Sequence, residues 1–127
     1  MSSELIQIGG AGPAGLAAAI TLARAGRRVL VHEVQPDVGH RFGGDFQGLE
    51  NWSTHEDALD WLQVLGITRE FTFLPLSSGH IFDSGGKRYK ISGKKALFYM
   101  VDRGPGPGTL DTAMLEQARS VGVEVRF

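Results

Sequence analysis

Three glycines stand at positions 10, 12 and 15 of the stretch IGGAGPAGLAAA, which begins at Ile8. Glycine loses more conformational freedom on folding than any other residue. Three of them within six positions imply a backbone that something else must approach closely. The spacing is G-x-G-x-x-G, and Glu33 lies 18 residues beyond Gly15. A glycine turn, a helix start and an acidic side chain about twenty residues on are the parts that bind a dinucleotide. Gly10 permits a sharp turn out of a strand. Gly12, with no Cβ, leaves room for a pyrophosphate, and Gly15 lets the helix pack close to the strands. Pro13 and Ala14 open that helix, whose free N–H groups and partial positive charge suit phosphate oxygens. Glu33 would accept hydrogen bonds from the adenosine ribose and would oppose the 2′-phosphate of NADP.

The other chemistry-bearing residue types argue against further sites. The chain of 127 residues has no cysteine, which excludes disulfides, thiol catalysis and Cys-type zinc sites. Its four histidines (His32, His40, His55 and His80) lack metal-site spacing, so no metal is expected. No acid–base constellation stands out. A formal net charge of -1 gives no electrostatic case for nucleic acid or an anionic membrane. No stretch approaches the ~18 apolar residues of a membrane span. The N-terminus has no basic segment of the secretory type, so a soluble, cytoplasmic chain is the expectation.

The elements that would position the glycines follow from periodicity. LIQIGG, from Leu5, reads as a buried strand. Leu16, Ala19, Ile20 and Ala23 recur as one helix face that Gly26 is placed to end. RVLVHE supplies a second buried strand, completing a βαβ unit with parallel strands. Residues 35–52 show no periodicity and read as a long glycine-rich connection, of the kind that is often functional. Ser53 and Glu56 form a capping-box pattern for a helix over 53–65, stopped by Gly66. REFTFLPL, GHIFDSG, KRYKISG and ALFYMVD read as short strands of an antiparallel meander. Thr109 caps a last helix that carries Leu110, Met114, Ala118 and Val121 on one side and ends at Gly122. VEVRF is a final strand. The expected fold class is α/β, a Rossmann-like βαβ parallel sheet with an added antiparallel β-meander, in one domain over 1–127.

GGAGPAGLAAAITLARAGRRVLVHE resembles the N-terminal FAD-binding segment of two-dinucleotide-binding-domain flavoproteins. VGHRFGGDFQGLENW and RGPGPGTLDTAMLEQARSVGVEVRF are similar to FAD-dependent oxidoreductases of the geranylgeranyl reductase and aromatic hydroxylase type. In those relatives an arginine ends the strand before a long helix. Arg103, Leu110, Asp111, Leu115, Ala118 and Gly122 match that pattern. The resemblance implies that Gly10, Gly12 and Gly15 hold the FAD pyrophosphate and Glu33 the ribose. It places Arg41 and Arg103 near the phosphates or ribityl chain, and Gly43 and Gly44 where backbone approaches the flavin. Phe46 and Trp52 could stack near the flavin, but read first as ordinary core aromatics.

Such flavoproteins are usually two to three times this length, and their later segment carries another flavin-contacting motif and most of the substrate pocket. The missing cysteines separate the chain from disulfide reductases. Two function classes stay open: a flavin-dependent oxidoreductase or oxidoreductase subunit acting on an unknown small molecule, and a non-catalytic FAD- or nucleotide-binding module. An NAD-binding domain is a third. The strand residues Phe71, Phe73, Ile81, Phe82, Leu97 and Phe98 have no later segment to cover them, which implies a homo-oligomer.

Overall fold

A computed structural model describes residues 4–127. β1 (Leu5–Gly9) leads through the glycine turn into α1 (Pro13–Arg24) and then β2 (Arg28–His32). β1 and β2 pair in parallel, with Ile6 opposite Val29 and Ile8 opposite Val31. The last strand, β8 (Glu124–Arg126), returns to lie parallel on the other side of β2. Between them come β3 (Phe46–Glu50), α2 (Ala58–Val64), β4 (Phe73–Leu76), β5 (Ser78–Phe82), β6 (Arg88–Ser92), β7 (Phe98–Asp102) and α3 (Leu110–Ser120).

The core joins the parallel sheet to α1 and α3. Leu16 and Ile20 of α1 are fully buried with Val29 and Val31 of β2 and with Met114 and Leu115 of α3. Burying one such side chain contributes about 1.5–3 kcal/mol. Ala19 and Ala118 are also fully buried, and their small side chains let α1 and α3 lie close. All three helices end in the Schellman hydrogen-bond pattern at Gly26, Gly66 and Gly122, the stops expected from sequence.

The antiparallel strands are present, but their pairing is not that of one meander. β7 is the centre of a three-stranded sheet, with β3 on one side and β4 on the other. β5 and β6 form a separate hairpin. The strand β3 lies in the connection read as aperiodic. Its sequence, FQGLE, alternates too weakly to declare itself, and its pairing with β7 is long-range.

α2 starts later than the Ser53 pattern implied. The Ser53 hydroxyl instead donates to Glu50 in a tight turn. Asp57 caps α2, accepting from the N–H groups of Leu59 and Asp60. Asn51 fixes this start, its side-chain oxygen accepting from Ala58 N–H at 2.6 Å. The Asp57 carboxylate also accepts from the Tyr99 hydroxyl at 2.6 Å, which ties α2 to β7. Phe71 needs no further cover, since it is only 5% exposed, whereas Ile81 and Phe82 on the hairpin stand in solvent.

Candidate dinucleotide site

The three motif glycines are there for three different reasons. Gly10 has φ +97°, a backbone that side chains with a Cβ rarely adopt. Its N–H donates to His32 O at 2.7 Å, which holds the turn against the end of β2. Gly15 has ordinary helical geometry, but a Cβ there would lie 2.0 Å from the Gly10 carbonyl oxygen. Gly12 has φ −75°, and a Cβ on it would meet no atom within 4 Å. Nothing inside the chain demands glycine at position 12. The space it leaves opens outward.

Gly12 is also the N-cap of α1, and it offers no side-chain cap. Pro13 follows as the first helical residue, so the N–H groups of Ala14 and Gly15 at this end are not claimed by any side chain. The other two helices are capped by Asp57 and Thr109. An uncapped helix start beside an open glycine is the arrangement that receives an anion.

Glu33 follows β2 directly. Its Oε2 accepts from Ala11 N–H and its Oε1 from Gln35 N–H, each at 2.8 Å. The Gln35 N–H above all holds this carboxyl below the usual carboxylate range; partial burial works the other way, and the Ala11 and Val34 N–H groups add to the lowering. The ionised carboxylate, with lone pairs to spare, stands at the edge of the glycine turn.

A cleft of about 310 Å³ runs from here along the connection after β2. It brings together Gly12, Pro13, Glu33, Arg41 and Arg103, five of the residues expected from sequence. Gly10, Ala14, Gly15, Gly43 and Gly44 do not line it. Gly10 and Gly15 shape the turn from behind, and Gly43 and Gly44 lie farther along the chain, ahead of β3. Ala11, Gln35, Asp37, His40 and Phe42 also line the cleft, and sequence reasoning did not pick them out. Ala11 lies within the glycine motif itself; for the other four the only sign was the length and glycine content of the connection.

The two arginines differ in what they can offer. Arg103 is 6% exposed. Its Nε and Nη2 donate to Asp111 at 2.8 and 2.9 Å, and its Nη1 donates to Gln47. Its guanidinium lies 4.1 Å from the centre of the Phe42 ring. Asp111 has no exposure and also accepts from Gly104 N–H at 3.0 Å. The charge of Arg103 is therefore compensated, and the residue acts as a fixed wall with part of its donor edge unspent. Arg41 is exposed, lies 4.7 Å from the same Phe42 ring, and enters none of the ion pairs among the described residues. It is the uncompensated cation of the cleft.

Phe46 and Trp52 are corrected by the structure. They are 68% and 54% exposed, so neither is a core aromatic. Trp52 stacks edge-on against Phe98, with centroids 4.4 Å apart. A larger cleft of about 630 Å³ lies elsewhere, between Arg24 and residues 66–70. The Arg24 guanidinium donates there to Gly66 O, and the lining comes from the C-terminal ends of α1 and α2 rather than from a helix start. No helix among the described residues is long and apolar enough to cross a membrane.

Comparison with known proteins finds the same fold. Residues 8–60 match the NAD(P)-binding Rossmann-like domain family. No curated protein matches the sequence. Among solved structures, a tetrameric form of 2-methyl-3-hydroxypyridine-5-carboxylic acid oxygenase superposes with a TM-score of 0.67 at 23% identity, over 99% of this chain and 32% of that one. A geranylgeranyl bacteriochlorophyll reductase-like protein from Thermoplasma acidophilum gives 0.67 at 20% identity, over 96% and 30%. CtdE in complex with FAD gives 0.55 at 22% identity, over 99% and 30%. The chain thus spans about a third of the length of the structures it matches. In fold, the chain is a Rossmann-like α/β unit whose parallel sheet is joined by antiparallel strands, and nearly its whole length superposes on these larger proteins.

Proposed function

We propose that the chain binds FAD and forms the cofactor-binding part of a flavin-dependent oxidoreductase that acts on a small molecule. The observation that carries this reading is Gly12: an outward-facing glycine with no internal reason to be glycine, set at the one helix start among the described residues that no side chain caps. The pyrophosphate would lie against Gly12 and the N–H groups of Ala14 and Gly15. Glu33 would accept from the ribose hydroxyls, and Arg41 would face phosphate oxygens with its unpaired charge. Arg103 and Phe42 would form the wall beside the cofactor, with Gly43 and Gly44 farther on toward the flavin. Bound FAD supplies the redox chemistry; these residues would bind and orient it, and the Glu33 carboxylate would oppose a 2′-phosphate on the ribose.

Support for FAD over NAD comes from the resemblance of residues 8–33 to flavoproteins and from the FAD held by CtdE, a protein of the same fold. The family match over 8–60 keeps NAD as the second reading. The two are separated by denaturing the purified protein and identifying what it releases. A yellow supernatant with the FAD absorption spectrum is expected. Release of NAD, or rebinding of NAD with FAD excluded, would overturn the FAD reading. Self-association belongs to the same proposal: Ile81 and Phe82, exposed on a two-stranded hairpin that is marginal alone in water, are the surface a second copy would cover.

A further inference from the structure

The sheet β3-β7-β4 has one face on the core; its other face carries Trp52 at the Phe98 end and is open at the Phe46–Asp102 end. Register assigns the residues to each. Val101 and Tyr99 of β7 face the core with Leu49 of β3. The outer face carries Phe46 beside Asp102, then Gly48, Met100 and Leu74 in one row across the three strands. Phe46 is 68% exposed and Leu74 60%. A cleft of about 460 Å³ opens here, walled by Phe46, Thr72, Leu74 and Met100, with Asp102 as its only ionisable group. Gly48 keeps the floor low, since a Cβ there would lie 3.0 Å from the Phe98 ring.

Two features say what fits this cleft. The first is charge. β3, β4 and β7 contain no lysine, arginine or histidine, and Asp102 enters none of the ion pairs among the described residues. Two such faces meeting would bring Asp102 and Glu50 of each copy together with no basic partner, which disfavours a second copy as the occupant. A small molecule with an apolar body and a cationic, hydrogen-bond-donating end complements the face. The second feature is position. Asp102 and Arg103 are neighbours on one strand end, one facing this cleft and the other lining the dinucleotide cleft. Arg103 N–H donates to Asp45 O at 2.9 Å, between Gly44 and Phe46. The two clefts therefore lie on either side of the end of β7, with no lining residue in common.

We propose that the Phe46–Asp102 cleft binds an apolar amine, held by Asp102 at its charged end and by Leu74, Met100 and Phe46 along its body. That this ligand is the substrate of the flavin rests on the reading above; its binding does not. The test is titration of the FAD-loaded protein with 2-phenylethylamine and with 3-phenylpropionate, a similar body bearing the opposite charge, followed by NMR. The amine is expected to bind at least about tenfold tighter, the smaller end of what a charge-assisted hydrogen bond gives. Asp102→Asn should abolish that preference, and Leu74→Ser should weaken binding of the amine while FAD affinity, read by flavin fluorescence, stays unchanged. Equal binding of the two probes, or a preference that survives Asp102→Asn, would overturn the proposal. So would self-association of the protein that Leu74→Ser abolishes, because the face would then be an interface between copies. If the amine preference holds while the protein takes up no FAD, the cleft stands and the flavin reading falls.

Discussion

A methyl group on Gly15 would stand 2.0 Å from the carbonyl oxygen of Gly10. Since the obstructing atom is backbone, Gly15→Ala must push α1 away from β1. Overpacking of this kind costs about 1–3 kcal/mol. The variant should lose stability in urea whether or not cofactor is present.

Gly12→Val should behave in the opposite way. A Cβ at this position meets nothing within 4 Å, so the expected cost is about 1 kcal/mol from the poorer N-cap. Cofactor should be lost while the unfolding transition stays near that of the parent. Full FAD occupancy in this variant would remove Gly12 from the pyrophosphate site.

Glu33→Leu should weaken FAD binding by about 1–3 kcal/mol, roughly ten- to a hundredfold, by leaving the ribose hydroxyls unpaired. The folded state holds the Glu33 carboxyl below its ordinary value. Its contribution to stability is therefore present above that ordinary value, and is lost as pH falls through the lowered one. Acid titration of parent and Glu33→Leu should show the difference between them shrinking in that window. A constant difference down to the acid limit would contradict the assignment.

The Tyr99 hydroxyl donates to Asp57, and this bond, with burial and the Asp57 charge adding to it, pushes the phenol up to about 12. The group is raised above its unfolded value near 10, so its contribution is whole below pH 10 and fades as pH rises toward 12. Tyr99→Phe should be less stable than the parent at neutral pH and should converge with it in strong alkali. Thermal unfolding of the two across that range checks this.

Arg103 and Asp111 form a buried pair. Removing one partner, as in Asp111→Leu, leaves an uncompensated buried cation and should cost about 3–5 kcal/mol. The double variant Arg103→Met with Asp111→Leu should recover much of that loss. A double variant as unstable as the sum of the two single ones would show that the two residues act independently.

Light scattering at micromolar concentration tests self-association through the hairpin. An oligomer that Phe82→Ser converts to monomer is expected. A monomeric parent with a sharp unfolding transition would reject it.

The βαβ unit, its glycine turn, Glu33, the three glycine helix stops and the last strand were all legible in the sequence, because each is set by local chemistry: apolar periodicity, backbone freedom and a short-range hydrogen-bond pattern. The division of labour among the motif glycines was not. Only the packed structure shows that Gly15 is needed by the Gly10 carbonyl and Gly12 by nothing in the chain. The strand at 46–50 was hidden for a related reason: its pairing partner lies some fifty residues away, and its own residues alternate weakly. Ser53 looked like a cap until Glu50 proved the better partner for its hydroxyl and Asp57 the better acceptor for α2. The resemblance pointed to Arg103 as a candidate cofactor neighbour, but the burial of Asp111 that neutralises it depends on where α3 lands against the end of β7. Charge compensation and exposure of the outer sheet face both depend on contacts between segments distant in the chain, which side-chain type and spacing alone do not encode.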